Sequence, residues 1–212
     1  MKHSHHGFTL IEMAIVLIIV GLLLGGVLKG QELITQGKIR STARELDSIA
    51  VALLSYQDRY KQLPGDDAAT SSRWNLAAGD GDSVLEGAFN STTDTDESRK
   101  VWSHLRQSGF IAGAGNSLTQ PINALGGMTG LQTNAGSTGG SNASNELSGL
   151  VVCTANLPAS VASALDTQFD DGQPNKGAVR AFDQSGTDPL AGAAASAYTD
   201  DGAHRYILCR TV

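Results

Sequence analysis

The sequence predicts an α+β protein. One long N-terminal helix is membrane-embedded over its first half and packs by its second half on a small antiparallel sheet domain. Three observations predict this. Phe8–Leu28 carries no charge except Glu12. An apolar stripe at helical spacing continues to Tyr60. Beyond it, short β-like runs alternate with turn residues.

Phe8–Leu28 spans 21 residues, about 31 Å of helix at about 1.5 Å per residue. That matches a bilayer core of about 30 Å. A helix apolar all round over this length is unusual for the core of a soluble domain. Ile39, Ala43, Leu46, Ala50, Leu53 and Tyr60 then form one stripe, with Arg40, Arg44, Asp47, Asp58 and Arg59 at polar positions. Leu63-Pro64-Gly65-Asp66-Asp67 ends the helix, because the residue before a proline avoids the α region and Gly65 opens a turn. The helix is therefore expected from Phe8 to near Gln62.

Residues 64–97 read as loop, being rich in Asp, Gly, Ser and Thr. Ser98–Gly109 reads as a short amphipathic helix with Val101, Trp102 and Leu105 on its apolar side. Residues 112–145 are dominated by Gly, Ser, Asn, Thr and Ala, and are expected to be one long flexible surface loop. Leu147–Thr154 is a β-like run. Leu157, Val161, Leu165 and Phe169 recur every four residues and predict a helix over Leu157–Asp170. Two further strands are expected at Gly177–Phe182 and His204–Arg210.

The formal net charge is −6. From residue 62 onward, 8 basic residues stand against 16 acidic ones. A surface of that sign repels phosphate backbones, so no nucleic-acid partner is expected. Cys153 and Cys209 are the two cysteines, each in an apolar run. They would pair in an exported domain and be buried thiols in a cytosolic one.

The N-terminus admits a secretory signal peptide or a simple signal anchor. The apolar run is long for the first, and neither explains Glu12. Gly7-Phe8-Thr9-Leu10-Ile11-Glu12, behind a short basic leader, resembles the processing site of type IV prepilins and type II secretion pseudopilins. Absence of a proline before Pro64 departs from the many pilins whose apolar helix is kinked by one. The resemblance implies a leader at 1–7, cleavage by prepilin peptidase between Gly7 and Phe8, and N-methylation of Phe8. It further implies a transmembrane and assembly helix at 8–28, an amphipathic continuation at 29–62, and an extracytoplasmic globular domain at 63–212. A more weakly diagnostic segment, Leu165–Ala181, is similar to C-terminal segments of pilin-like proteins that carry LPGDD after the first helix.

On this resemblance the chain is a structural subunit of a type IV pilus or type II secretion pseudopilus. The alternative is a minor, tip-located pilin acting as an adhesin or cargo-binding module. The implied partners are other pilin or pseudopilin subunits, prepilin peptidase, the inner-membrane assembly platform and membrane lipid. The implied location is the bacterial inner membrane, single-pass, with the C-terminal domain in the periplasm, and a periplasmic or cell-surface filament after assembly. Glu12 would meet the cationic Phe8 amine of a neighbouring subunit. Export favours the Cys153–Cys209 disulfide, closing a loop that links two predicted strands.

No catalytic constellation is visible. Beyond the leader the histidines are His104 and His204 alone, with no G-x-S-x-G, phosphate loop or zinc spacing, so no enzyme is expected. Asp66, Asp67, Asp80, Asp82 and Glu86 are expected to be mainly solvated turn acids. Their oxygen donors on a Gly-rich loop would also suit Ca²⁺ as the one candidate cofactor.

Overall fold

The computed structural model describes residues 9–135, 147–184 and 194–212. It has two units, Met1–Lys38 and Ile39–Val212, and each is described by itself.

Helix α1 covers Leu10–Tyr60. In the first unit its apolar side chains are exposed on every side, Leu10 at 88% and Leu22 at 73%. This segment is long and apolar enough to cross a membrane. The first charges after Glu12, Lys29 and Glu32, form an exposed ion pair of 2.7 Å.

The second unit contains the rest of α1, then α2 (Thr70–Trp74), α3 (Glu97–Gln107), β1 (Thr129–Ala135), β2 (Leu147–Pro158), α4 (Ala159–Phe169), β3 (Val179–Asp183) and β4 (Arg205–Thr211). The four strands form one sheet, ordered β1-β2-β4-β3 and antiparallel throughout. The architecture is α+β and pilin-like, as the sequence predicts.

Side chains alternate across the sheet, as the two-residue strand period requires. Val152, Leu157, Tyr206 and Leu208 join α1, α3 and α4 in the main core. Val151, Cys153, Ile207 and Cys209 face the other way, into a smaller core with Phe89, Leu147 and Phe182. Both faces of β2 and β4 are thus covered, which explains why LVVC and YILC read as unbroken apolar runs. On α1 the buried side chains are Thr42, Ala43, Leu46, Ile49, Ala52, Leu53 and Tyr56. The predicted stripe lies within or beside that set, and Tyr56 is its largest member. Arg210 reaches back from β4 to Asp47 on α1 at 2.9 Å and stacks over the Phe169 ring of α4.

Three expectations need correction. Residues 64–97 are not all loop, because Thr70–Trp74 forms the short helix α2. Residues 112–145 are not one loop, because Thr129–Ala135 is strand β1, paired with β2 from Thr129↔Thr154 to Ala135↔Leu147. A single large apolar side chain, Leu131, faces the core, so alternation is almost invisible in the sequence. Gly130 is needed there: a Cβ on it would lie 2.0 Å from the Phe89 carbonyl oxygen. The rest of that predicted loop, residues 136–145, lies outside the described residues. Leu157, expected in a helix, is a strand residue paired with Tyr206, and α4 begins at Ala159 after Pro158. Pro158 is the N-cap residue of α4, with an extended backbone (φ −59°, ψ 154°) whose φ the proline ring fixes.

Candidate functional site

Gly7 and Phe8 lie outside the described residues. Thr9 and Glu12 form a reciprocal cap. The Thr9 N–H and hydroxyl donate to the Glu12 carboxylate at 2.8 and 2.7 Å, and the Glu12 N–H donates to the Thr9 hydroxyl at 3.3 Å. This is a capping box, which satisfies N–H groups that an α-helix start leaves free. Its signal, Thr-x-x-Glu, was present in the sequence beside the cleavage pattern. Within one chain, Glu12 therefore already has a donor set.

Cys153 and Cys209 are bonded to each other and sit directly opposite on β2 and β4, both fully buried.

The acidic residues after α1 separate into three groups with different tasks. Asp67 is fully buried. Its Oδ2 accepts from the Tyr56 hydroxyl at 2.7 Å and from Arg73 Nη1 at 2.8 Å, and its Oδ1 accepts from the Ala69 N–H at 2.8 Å. Burial works to raise its pKa, but the donors, led by Arg73 and Tyr56, hold it below the ordinary value. Asp67 thereby departs from the expected ligand set: its oxygens are engaged in locking α2 onto α1. Arg73 also stacks over Tyr60 at 4.5 Å, extending the lock with a cation–π contact.

Asp66 organises the loop. Its Oδ1 accepts from the Gly81 and Asp82 N–H groups, and its Oδ2 from the Ser83 N–H at 2.8 Å. Burial raises its pKa, opposed by those three donors. Close approach of the two segments depends on Gly79, where a Cβ would stand 2.3 Å from the Asp66 Cα.

The third group forms where α3 meets this loop. Glu97, Lys100 and His104 lie on one face of α3, at i, i+3 and i+7. Glu97 Oε1 accepts from the Asp80 N–H at 3.1 Å, Lys100 Nζ donates to the Ala78 carbonyl at 2.9 Å, and His104 Nε2 meets the Ala77 carbonyl at 2.9 Å. The Gly65 N–H donates to His104 Nδ1 at 2.8 Å, so the ring is neutral with its proton on Nε2. Burial pushes the His104 pKa down, consistent with that tautomer. His104 is fully buried and joins two loop segments to α3.

Carboxylate oxygens of Asp80, Glu86 and Glu97 converge within 4.8 Å of one another. Those of Asp66, Asp80 and Asp82 do the same, so Asp80 belongs to both groups. Glu97 is only 4% exposed, and its Oε2 has no hydrogen-bond partner. Burial, the Glu86 carboxyl beside it and the charge of Asp66 push the Glu97 carboxyl up to about 8. Sequence reading placed Glu97 at the end of the loop and missed it as a site residue, because its burial arises only where α3 packs on that loop. The polar spacing of Glu97, Lys100 and His104 was the available signal.

A long apolar helix ahead of a small antiparallel sheet is a pilin-like arrangement. Residues 2–28 match the family model described as the prokaryotic N-terminal methylation motif. That motif is the hallmark of the type IV pilin and pseudopilin prepilin-type signal, and it supports a substrate of prepilin peptidase. The same motif implies assembly with other pilin subunits, and with the apolar helix it fits an inner-membrane anchor. No curated protein matches the chain.

Proposed function

We propose that the chain is a structural subunit of a type IV pilus or type II secretion pseudopilus, stored in the inner membrane and drawn into a filament through α1. The observation that carries this reading is the fully exposed apolar segment of α1 with Glu12 at its start, behind a methylation motif. Exposed apolar area on this scale needs lipid or other subunits to cover it. A carboxylate within the apolar stretch costs up to about 2.5–3.5 kcal/mol at the bilayer centre and less near an end. An anchor alone gains nothing from it.

Cleavage at Gly7–Phe8 creates a cationic amine, and N-methylation keeps its charge. In a filament, that amine of one subunit pairs with Glu12 of the next, in a medium of low dielectric where the attraction far exceeds its value in water. Thr9 holds the Glu12 carboxylate at the helix start until then. The globular unit faces the periplasm in this reading, and a buried disulfide suits that oxidising compartment.

The test replaces Glu12 by Val. Membrane fractions should retain the processed protein at wild-type level, while sheared filaments analysed by mass spectrometry should contain it at least about tenfold less, the loss expected from about 1.4 kcal/mol of pairing. Normal incorporation of Glu12→Val would overturn the assembly role. A Gly7→Val variant that is still shortened and methylated would overturn the processing site.

A further inference from the structure

We propose that Asp80, Glu86 and Glu97 form a calcium-binding site that clamps the acidic loop onto the first turn of α3. Three acids close together are common on surfaces without any ion. The feature that sets this group apart is Glu97, only 4% exposed, whose carboxylate lies in the cluster and whose Oε2 is matched to no donor. A buried carboxylate oxygen without a partner bears a desolvation cost that a cation would remove.

Each of the three residues has oxygen to offer. Glu97 Oε1 takes the Asp80 N–H and leaves Oε2. Asp80 Oδ1 takes the Asp82 N–H and leaves Oδ2. Glu86 is exposed, and among the described residues no donor reaches its carboxylate. Nor does any ion pair among the described residues involve Asp80, Glu86 or Glu97, and the nearby Lys100 is committed to the Ala78 carbonyl. With all three carboxyls ionised the cluster would carry −3, and among the described residues no ion pair balances it.

The spacing fits the ion. At about 2.4 Å to each oxygen, one Ca²⁺ joins oxygens up to about 4.8 Å apart, and the oxygens of this group all lie within that limit. An all-oxygen set suits a hard cation. A half-open site with irregular donors suits calcium better than magnesium, which demands near-ideal octahedral geometry. Water completes the shell on the exposed Asp80 and Glu86 side. Asp66 is outside the set because three backbone N–H groups already occupy its carboxylate, although it shapes the loop that carries Asp80. The bound ion would fix Glu86 and Asp80 to α3, so that the loop after α1 becomes stiff in calcium and loose without it.

The alternative source of neutrality is a proton shared between Glu86 and Glu97, and the test separates the two. Full-length protein in detergent micelles, stripped with chelator at pH 7.5, is melted by tryptophan fluorescence while calcium chloride is titrated through roughly 10⁻⁵–10⁻² M, the range bracketing extracellular calcium modules. At a hundredfold excess over Kd the melting temperature should rise by about 5–10 °C, with one calcium retained per chain on equilibrium dialysis. Glu86→Gln, at an exposed position, should fold as well as the unliganded wild type and lose the rise, as should Glu97→Gln. No rise with calcium, an equal rise with potassium chloride, or a wild-type response in both Gln variants would each overturn the site. A melting temperature indifferent to calcium but falling from pH 6 to pH 8 would assign the cluster to the shared proton instead.

Discussion

Reduction of Cys153–Cys209 should destabilise the globular unit without changing its fold, and the size of the effect can be worked from the chain. The two cysteines are 56 residues apart in sequence. Chain-entropy arithmetic for a loop of that length gives about 4 kcal/mol of stabilisation, exerted by restricting the unfolded ensemble. In the native sheet the bond joins strands already paired on both sides of it, through Val152↔Arg210 and Thr154↔Leu208. The pairing should therefore survive reduction. For a unit of this size the loss corresponds to a fall of about 8–16 °C in melting temperature. Trp74 and Trp102 are the two tryptophans and both lie in the globular unit, Trp102 fully buried, so fluorescence reports unfolding of that unit alone. Full-length protein in detergent would be unfolded in urea with and without a phosphine reductant. The midpoint should fall and the slope rise, because the uncrosslinked chain exposes more surface. A double Cys153→Ala, Cys209→Ala variant should show no response to the reductant. A change below about 1 kcal/mol on reducing the wild type would refute the reasoning, since it would mean that the unfolded ensemble is not restricted by the bond.

Two further outcomes follow from the buried polar groups. Asp67→Ala leaves the Tyr56 hydroxyl and the Arg73 guanidinium without their shared carboxylate, and should cost about 3 kcal/mol, the low end for a broken buried pair because Arg73 is partly exposed and can regain water; a urea-denaturation loss below about 1 kcal/mol would contradict it. His104 has a folded pKa depressed below its unfolded value near 6.5. Its contribution is therefore complete above pH 6.5 and is lost as the pH falls through the folded value, when a proton on Nδ1 would oppose the Gly65 N–H. Stability measured from pH 7.5 down to 5 should fall more steeply in the wild type than in His104→Gln, and parallel profiles would count against the assignment.

The N-terminal half of α1, its methylation motif and the burial of both cysteine-bearing strands were legible in the sequence, because each signal is local. An uninterrupted apolar run answers to solvent alone, and a junction such as Gly7-Phe8 with Glu12 following is read residue by residue. The same holds for the end of the helix near Pro64, where backbone sterics decide. The acidic loop was legible as a composition and illegible as a site. Asp66, Asp67 and Glu97 are all acids, yet one is filled by backbone N–H groups, one by Tyr56 and Arg73, and one retains a bare oxygen. A carboxylate's role is set by which donors reach it, and those donors come from segments brought together by Gly79, α2 and α3. Strand β1 was hidden for a related reason: Leu131 supplies nearly all its apolar signal, and the partner strand supplies its order. The sequence by itself thus determined that a pilin-type methylation motif opens a helix long and apolar enough to cross a membrane. Only the tertiary structure decided that Asp67 is held by Tyr56 and Arg73 and that Glu97 joins the acidic cluster in its place, because hydrogen-bond partners are chosen by distance in space.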